Sequence, residues 1–190
     1  MERKEDGQSL PQRLERLEAI EAIRALKARY LNACDAKRPE DVRACFVDGP
    51  IAVDVGHLGV FHDADAFVAM YVQAACHDHV YDKHHCGNAE IQIADDHNAA
   101  ARWCLDFRSI DTRKNSLTLM STFYHDTYVR ISGEWKISAS RTEFKSLFTC
   151  KFIDGDMKAL VAGRSFAEMD FTQLTAADAP AFAGTTALQL

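Results

Sequence analysis

Between residues 99 and 108 the chain alternates strictly. Ala99, Ala101, Trp103, Leu105 and Phe107 fall on one side, and Ala100, Arg102, Cys104, Asp106 and Arg108 on the other. A period of two is the mark of a strand with two unlike faces. Leu117 to Ile131 reads as a second long strand, and Ser132-Gly133 as a hairpin turn into a third, from Trp135 to about Phe148. Strands of this length need an apolar layer against their inner face, and the segments upstream can supply it. Leu10, Leu14, Leu17, Ile20, Ile23, Leu26 and Tyr30 recur at spacings of three and four, with Arg, Glu and Lys between them. That spacing predicts an amphipathic helix from Pro11 to about Cys34. Pro39 opens a second, short helix carrying Val42, Cys45 and Phe46 inward, and Gly49-Pro50 stops it. Ile51–Val55 and Val60–His62 are short strands around a Gly56–Gly59 turn. Asp63 is an N-cap for a third helix through Ala66, Phe67, Met70, Tyr71 and Ala74. From about His84 the chain becomes strand-rich.

Helices first and long antiparallel strands after predict an α+β fold, with the helices on one face of a curved sheet. Residues 1–150 form the expected domain, and residues 151–190 a C-terminal extension. Met157 to Val161 reads as a helical turn. Beyond Thr172 the Ala, Thr, Gly and Pro content suggests a loose tail or an arm lying on a neighbouring subunit.

Composition narrows the function classes. Among 190 residues, 22 are basic and 28 acidic, for a net charge of -6, and no basic stripe interleaves with aromatics. That argues against a nucleic-acid binder. No apolar run reaches membrane-spanning length, and Met1 to Arg16 is too charged for a secretory signal. A cytoplasmic location is expected. The six cysteines are scattered with no CxxC pair and read as small buried hydrophobes rather than a disulfide framework.

Several polar side chains invite a functional reading. Tyr30 continues the apolar stripe, so its hydroxyl must find a partner or a ligand. Asp35 falls at the negative end of the helix dipole, where an unpaired anion is unfavourable. Each is also compatible with a purely structural role. His85 shares odd numbering with Ile91 and Ile93, which places it on the apolar face of a regular strand. There it is either a general base or a satisfied core histidine. His77 and His79 have strand spacing for a metal, but no fourth ligand can be named, so no built-in zinc site is expected.

The stretch Ile23-Arg-Ala-Leu-Lys-Ala-Arg-Tyr30-Leu-Asn-Ala-Cys-Asp35 resembles the first helix of SnoaL-like proteins, within the nuclear-transport-factor-2-like superfamily. Val60-Phe-His62, His85-Cys-Gly-Asn88, Ala101-Arg-Trp103, Phe123-Tyr-His-Asp-Thr-Tyr128 and Gly133-Glu-Trp135 follow in the same order. The resemblance spans about Leu14 to Phe148. It implies a cone: a bent antiparallel sheet closed by three helices, in the manner of a cystatin-like α+β barrel, around a hydrophobic pocket. Within the superfamily the chain is most similar to the bile acid 7α-dehydratase family, and it also resembles the γ-hexachlorocyclohexane dehydrochlorinase and scytalone dehydratase families.

That resemblance implies a cofactor-free lyase or isomerase acting on a hydrophobic ring compound such as a steroid, polyketide or aromatic. His85 would be the base, Asp35 its partner and Tyr30 a hydrogen-bond donor. Trp103, Phe107 and Phe123 or Tyr124 would line the pocket. Arg141 is the nearest match to an arginine of the last strand, and Phe107 stands where the dehydratase has an aspartate. No metal or cofactor is implied, and a homodimer or homotrimer is expected. The alternatives are a non-catalytic ligand-binding domain and, ranked lower, a structural subunit of a ring-hydroxylating dioxygenase.

Overall fold

The computed structural model describes residues 9–154, 156–163 and 172, with side chains described for all of these except His57 and residues 156–163. Helix α1 runs Leu10–Asp35, α2 Pro39–Ala44 and α3 Ala64–Ala75. Strands β1 (Ala52–Asp54) and β2 (Val60–Phe61) flank a one-turn 3-10 helix. Then come β3 (Val80–Ile93), β4 (Asn98–Asp111), β5 (Ser116–Ile131), β6 (Glu134–Ile153) and β7 (Asp156–Gly163).

Helix α1 begins on a capping box. Ser9 accepts from the Gln12 backbone while the Gln12 side chain accepts from the Ser9 backbone, which satisfies two donors left open by the first turn. Its end is fixed just as specifically. Lys37 turns left-handed at φ 55, and the Lys37 and Arg38 backbone N–H groups donate to Cys34 and Ala33. The Tyr71 hydroxyl of α3 donates to the same Cys34 carbonyl at 2.8 Å, using the second lone pair of that last-turn acceptor. The Lys37 ammonium reaches the carbonyls of His77 and Val80. The end of α1 is thereby tied to the start of β3, which decides where Asp35 sits.

The sheet runs β2-β1-β6-β5-β4-β3, with β7 pairing β6 off this path. It is an open path with β2 and β3 at its ends. It is also mixed rather than purely antiparallel, because β1 lies parallel to β6. Two departures from the sequence reading follow from packing. Leu10, Leu14 and Leu17 are exposed, and burial on α1 starts at Ala19, so among the described residues the first turns of the helix have no core beneath them. Residues 157–161 are strand rather than helical turn, because β6 extends to Ile153 and offers backbone partners that this segment takes up. The rest of the C-terminal extension, apart from Thr172, lies outside the described residues. The core joins Ile23 and Leu26 of α1, Phe46, Phe67 of α3 and the inner sheet residues Trp103, Tyr128, Trp135 and Ile137. No helix among the described residues is long and apolar enough to cross a membrane.

Candidate active site

Beta-bulges decide which side chains reach the interior. On β3, Gly87 pairs with Cys104 and Glu90 with Arg102, so Asn88 and Ala89 stand opposite Trp103 alone. Asn88 takes the left-handed conformation, at φ 48, which asparagine tolerates better than most residues. The extra residue reverses the alternation. Ile93, Ile91 and Ala89 face inward as odd positions, whereas Cys86, His84, Asp82 and Val80 face inward as even ones. Because of this reversal, the reading of His85 as the inward histidine is corrected: His85 is exposed and paired across from Asp106. Both border a hollow of about 620 Å³ that also takes in Arg108 and Leu119. Its neighbour His84 is the inward histidine.

His84 meets Asp35. The ring Nδ1 lies 2.7 Å from Asp35 Oδ1, and the His84 backbone N–H donates to the same oxygen at 3.0 Å. Lys83 donates to Asp35 Oδ2 at 2.8 Å. Burial by itself raises the Asp35 pKa. The hydrogen bonds from His84 and Lys83 together outweigh burial and leave the carboxyl below its ordinary value. A carboxylate only accepts, so the 2.7 Å contact makes Nδ1 the N–H donor and leaves Nε2 as the basic nitrogen of the neutral ring. Phe107 packs against the imidazole with ring centroids 4.8 Å apart.

The other expected residues divide by strand parity. Trp103, Phe107 and Tyr124 lie on the inner face; Trp103 and Tyr124 are direct partners across β4 and β5. Phe123, the alternative to Tyr124, is on the outer face, with the Arg102 guanidinium 4.9 Å from its ring centre. Arg141 is a second correction. Counting in twos from Trp135 and Ile137 would send it inward, but Ser138 is an extra residue between the Ile137–Tyr128 and Ala139–Thr127 pairs. Arg141 therefore pairs with His125 and is exposed. Tyr30 points inward, edge-on to Phe46 at 5.6 Å. Burial first, then Cys34, Tyr124 and Asp126, hold its hydroxyl pKa well above the usual tyrosine value.

A second polar group was missed entirely by sequence reasoning. Lys27 Nζ donates to Asp126 Oδ2 at 2.7 Å, and the two side chains are 2% and 0% exposed. The Tyr128 hydroxyl donates to the same Asp126 oxygen and Ser140 Oγ to the other, each at 2.7 Å. Trp103 Nε1 in turn donates to the Tyr128 hydroxyl at 2.9 Å. The signal was available. Lys27 lies four residues after Ile23 and four before Leu31, both buried, so it sits on the inner face of α1. Asp126 shares parity with Tyr124 and Tyr128. A cleft of about 420 Å³ between α1 and β3 is bordered by both Lys27 and His84, with Trp103 and Cys86. A larger hollow, about 840 Å³, lies toward the start of α1 and borders none of these groups.

An N-terminal helical layer on a bent, open sheet, with polar groups on the inner face, defines a cone of the nuclear-transport-factor-2-like type. The sequence matches the SnoaL-like domain over residues 15–141, and the chain belongs to that family. Its fold is similar to that of a candidate scytalone dehydratase from Novosphingobium aromaticivorans, with TM-score 0.65 and 20% identity over 76% of this chain and 93% of that one. It is also similar to a hexachlorocyclohexane dehydrochlorinase, LinA type 2, with TM-score 0.62 and 14% identity over 77% and 92%. A third similar structure is ActVI-ORFA from Streptomyces coelicolor, with TM-score 0.56 and 14% identity over 67% and 97%. No curated protein matches the chain by sequence.

Proposed function

We propose that this protein is a cofactor-independent lyase or isomerase that removes a proton from carbon on a hydrophobic ring compound, with His84 as the base. The observation that carries this reading is the 2.7 Å contact between His84 Nδ1 and Asp35 Oδ1. It orients the ring, holds one tautomer and stabilises the imidazolium formed when Nε2 takes the proton. The electrons of the broken C–H bond pass into a C=C bond as a leaving group departs with its own pair, or into an enolate that is reprotonated elsewhere. Tyr30 and Tyr124 are both held protonated by burial, Tyr30 with the Cys34 thiol as a hydrogen-bond partner, so each is a phenol donor that could serve a developing oxyanion rather than a phenolate. Phe107 and Trp103 supply apolar wall. Similar structures named as a candidate dehydratase and a dehydrochlorinase support elimination as the reaction class.

The test needs no knowledge of the natural substrate. 2-Tetralone in D2O exchanges its acidic ring protons in the presence of a positioned base, and NMR reads the rate. Wild-type protein should accelerate exchange. His84→Ala should lose roughly 10²- to 10⁴-fold of that rate, while His85→Ala keeps it. A His84→Ala protein that exchanges as fast as wild type would remove His84 from the mechanism.

A further inference from the structure

The cleft between α1 and β3 has a one-signed lining. Arg24, Lys27 and Lys83 all border it, and among the described residues no aspartate or glutamate does, in a chain whose net charge is -6. Lys83 is engaged by Asp35. Arg24, one turn before Lys27 on α1, is exposed and meets no carboxylate among the described residues.

Lys27 is the more informative of the two. An ammonium carries three donors, yet the described residues offer this buried one a single oxygen, Asp126 Oδ2. Around it also lie the ring faces of Tyr124 at 3.8 Å and Tyr30 at 5.2 Å from their centres, and the Cys34 and Cys86 thiols are near enough to feel its charge. The ring contacts are attractive, but they accept no strong hydrogen bond. Asp126 is in the opposite condition, with Lys27, Tyr128 and Ser140 all donating to it. The unfilled hydrogen-bonding capacity of this buried pair lies on its cation, and the cation borders the cleft. Positions three apart on a helix stand about 5–6 Å apart at Cβ, so Arg24 and Lys27 can address one small anion.

We propose that this cleft binds an anionic ring compound, with a carboxylate or comparable oxyanion held between Arg24 at the exposed side and Lys27 at the buried side, and the ring against Trp103. The inference rests on the proposed function only in taking the ligand to be a ring compound. It adds the ligand's charge and does not require turnover.

Calorimetric titration of the full chain at low salt, with 2-naphthoate and its neutral counterpart 2-naphthamide, tests it. Naphthoate should bind at least tenfold more tightly, and added salt should erode the difference. Arg24→Gln, an exposed change, should weaken naphthoate at least fivefold and leave naphthamide unchanged. Replacing the buried pair as a unit, Lys27→Met with Asp126→Leu, should abolish the preference. Equal affinities for the two probes, no naphthoate binding at millimolar concentration, or an Arg24→Gln variant with the full preference would overturn the proposal. Protein that prefers naphthoate yet exchanges no tetralone protons would lose the lyase reading and keep this one.

Discussion

Two carboxylates, each with a basic partner, face the same interior, and they are built oppositely. Lys27–Asp126 is buried, and every oxygen of its carboxylate is occupied by a protein donor. His84–Asp35 lies nearer the rim, with side chains 15% and 13% exposed. One histidine nitrogen is committed there and one is left over. The first arrangement fixes a charge in place; the second keeps a titratable group in contact with a ligand space. A buried pair returns little net stability, since desolvation offsets its attraction. Its presence is easier to understand as positioning, with Lys27 locked against Tyr124 and Asp126 linking α1 to β5 and β6.

The largest effect should come from breaking the deep pair. Asp126→Ala leaves an uncompensated buried ammonium and should cost about 3–5 kcal/mol, read by urea denaturation; the paired replacement Lys27→Met with Asp126→Leu should recover most of it. A single variant as stable as wild type would mean that water reaches this site. Next, Asp35→Asn should remove much of the tetralone exchange rate, because an amide no longer stabilises the imidazolium. Its melting temperature should fall by no more than about 2–4 °C, the scale of 1 kcal/mol in a domain this size. A large loss of stability with normal exchange would reverse the roles assigned to the two pairs.

Asp82 sharpens the comparison further. It faces inward two residues before His84, and its Oδ1 is buried with no hydrogen-bond partner among the described residues. Burial raises its pKa despite the hydrogen bond with Ser109. A raised carboxyl favours the folded state below its unfolded value, and that contribution is lost as the pH rises through the folded value. Asp82→Asn should therefore raise the melting temperature at pH 7, by about 2–4 °C for each kcal/mol relieved, and change it little at pH 4. Asp35 has the opposite sign. Its lowered pKa contributes stability above about pH 4 that drains as the pH falls through the folded value. In Asp35→Asn this acid-side loss should flatten, the smallest of these effects, visible in pH-dependent thermal melts.

The element order and the ends of most elements were legible because periodicity and capping chemistry act locally. Pro39, Asp63 and Ser132-Gly133 each start or stop something within their own few residues. The two misplacements, His85 and Arg141, share one cause. Strand parity carries over long distances only where no residue is inserted, and bulges at Asn88–Ala89 and Ser138 each reset it. Gly87-Asn88 was a readable hint, since both residues tolerate bulge conformations; Ser138 carried none. Lys27 went unread because a charged residue on an apolar face is ordinarily assigned to solvent. Only its partner, 99 positions away, explains its burial.

The bulge on β3 has one more consequence, for the protein's behaviour in a crowded solution. A fourteen-residue strand at the end of the described sheet has one edge with no strand partner among the described residues, and beyond the groups at Val80 and His84 that Lys37 and Asp35 take up such an edge is a template on which another chain could add a strand. The turn at Asn88 interrupts that edge near its middle, and exposed Lys83 and Glu90 place charges on either side of the break. The residue that turns His84 toward the interior thus also spoils the template for edge-to-edge association. Straightening it should yield a protein that aggregates as well as one that lacks its inward histidine.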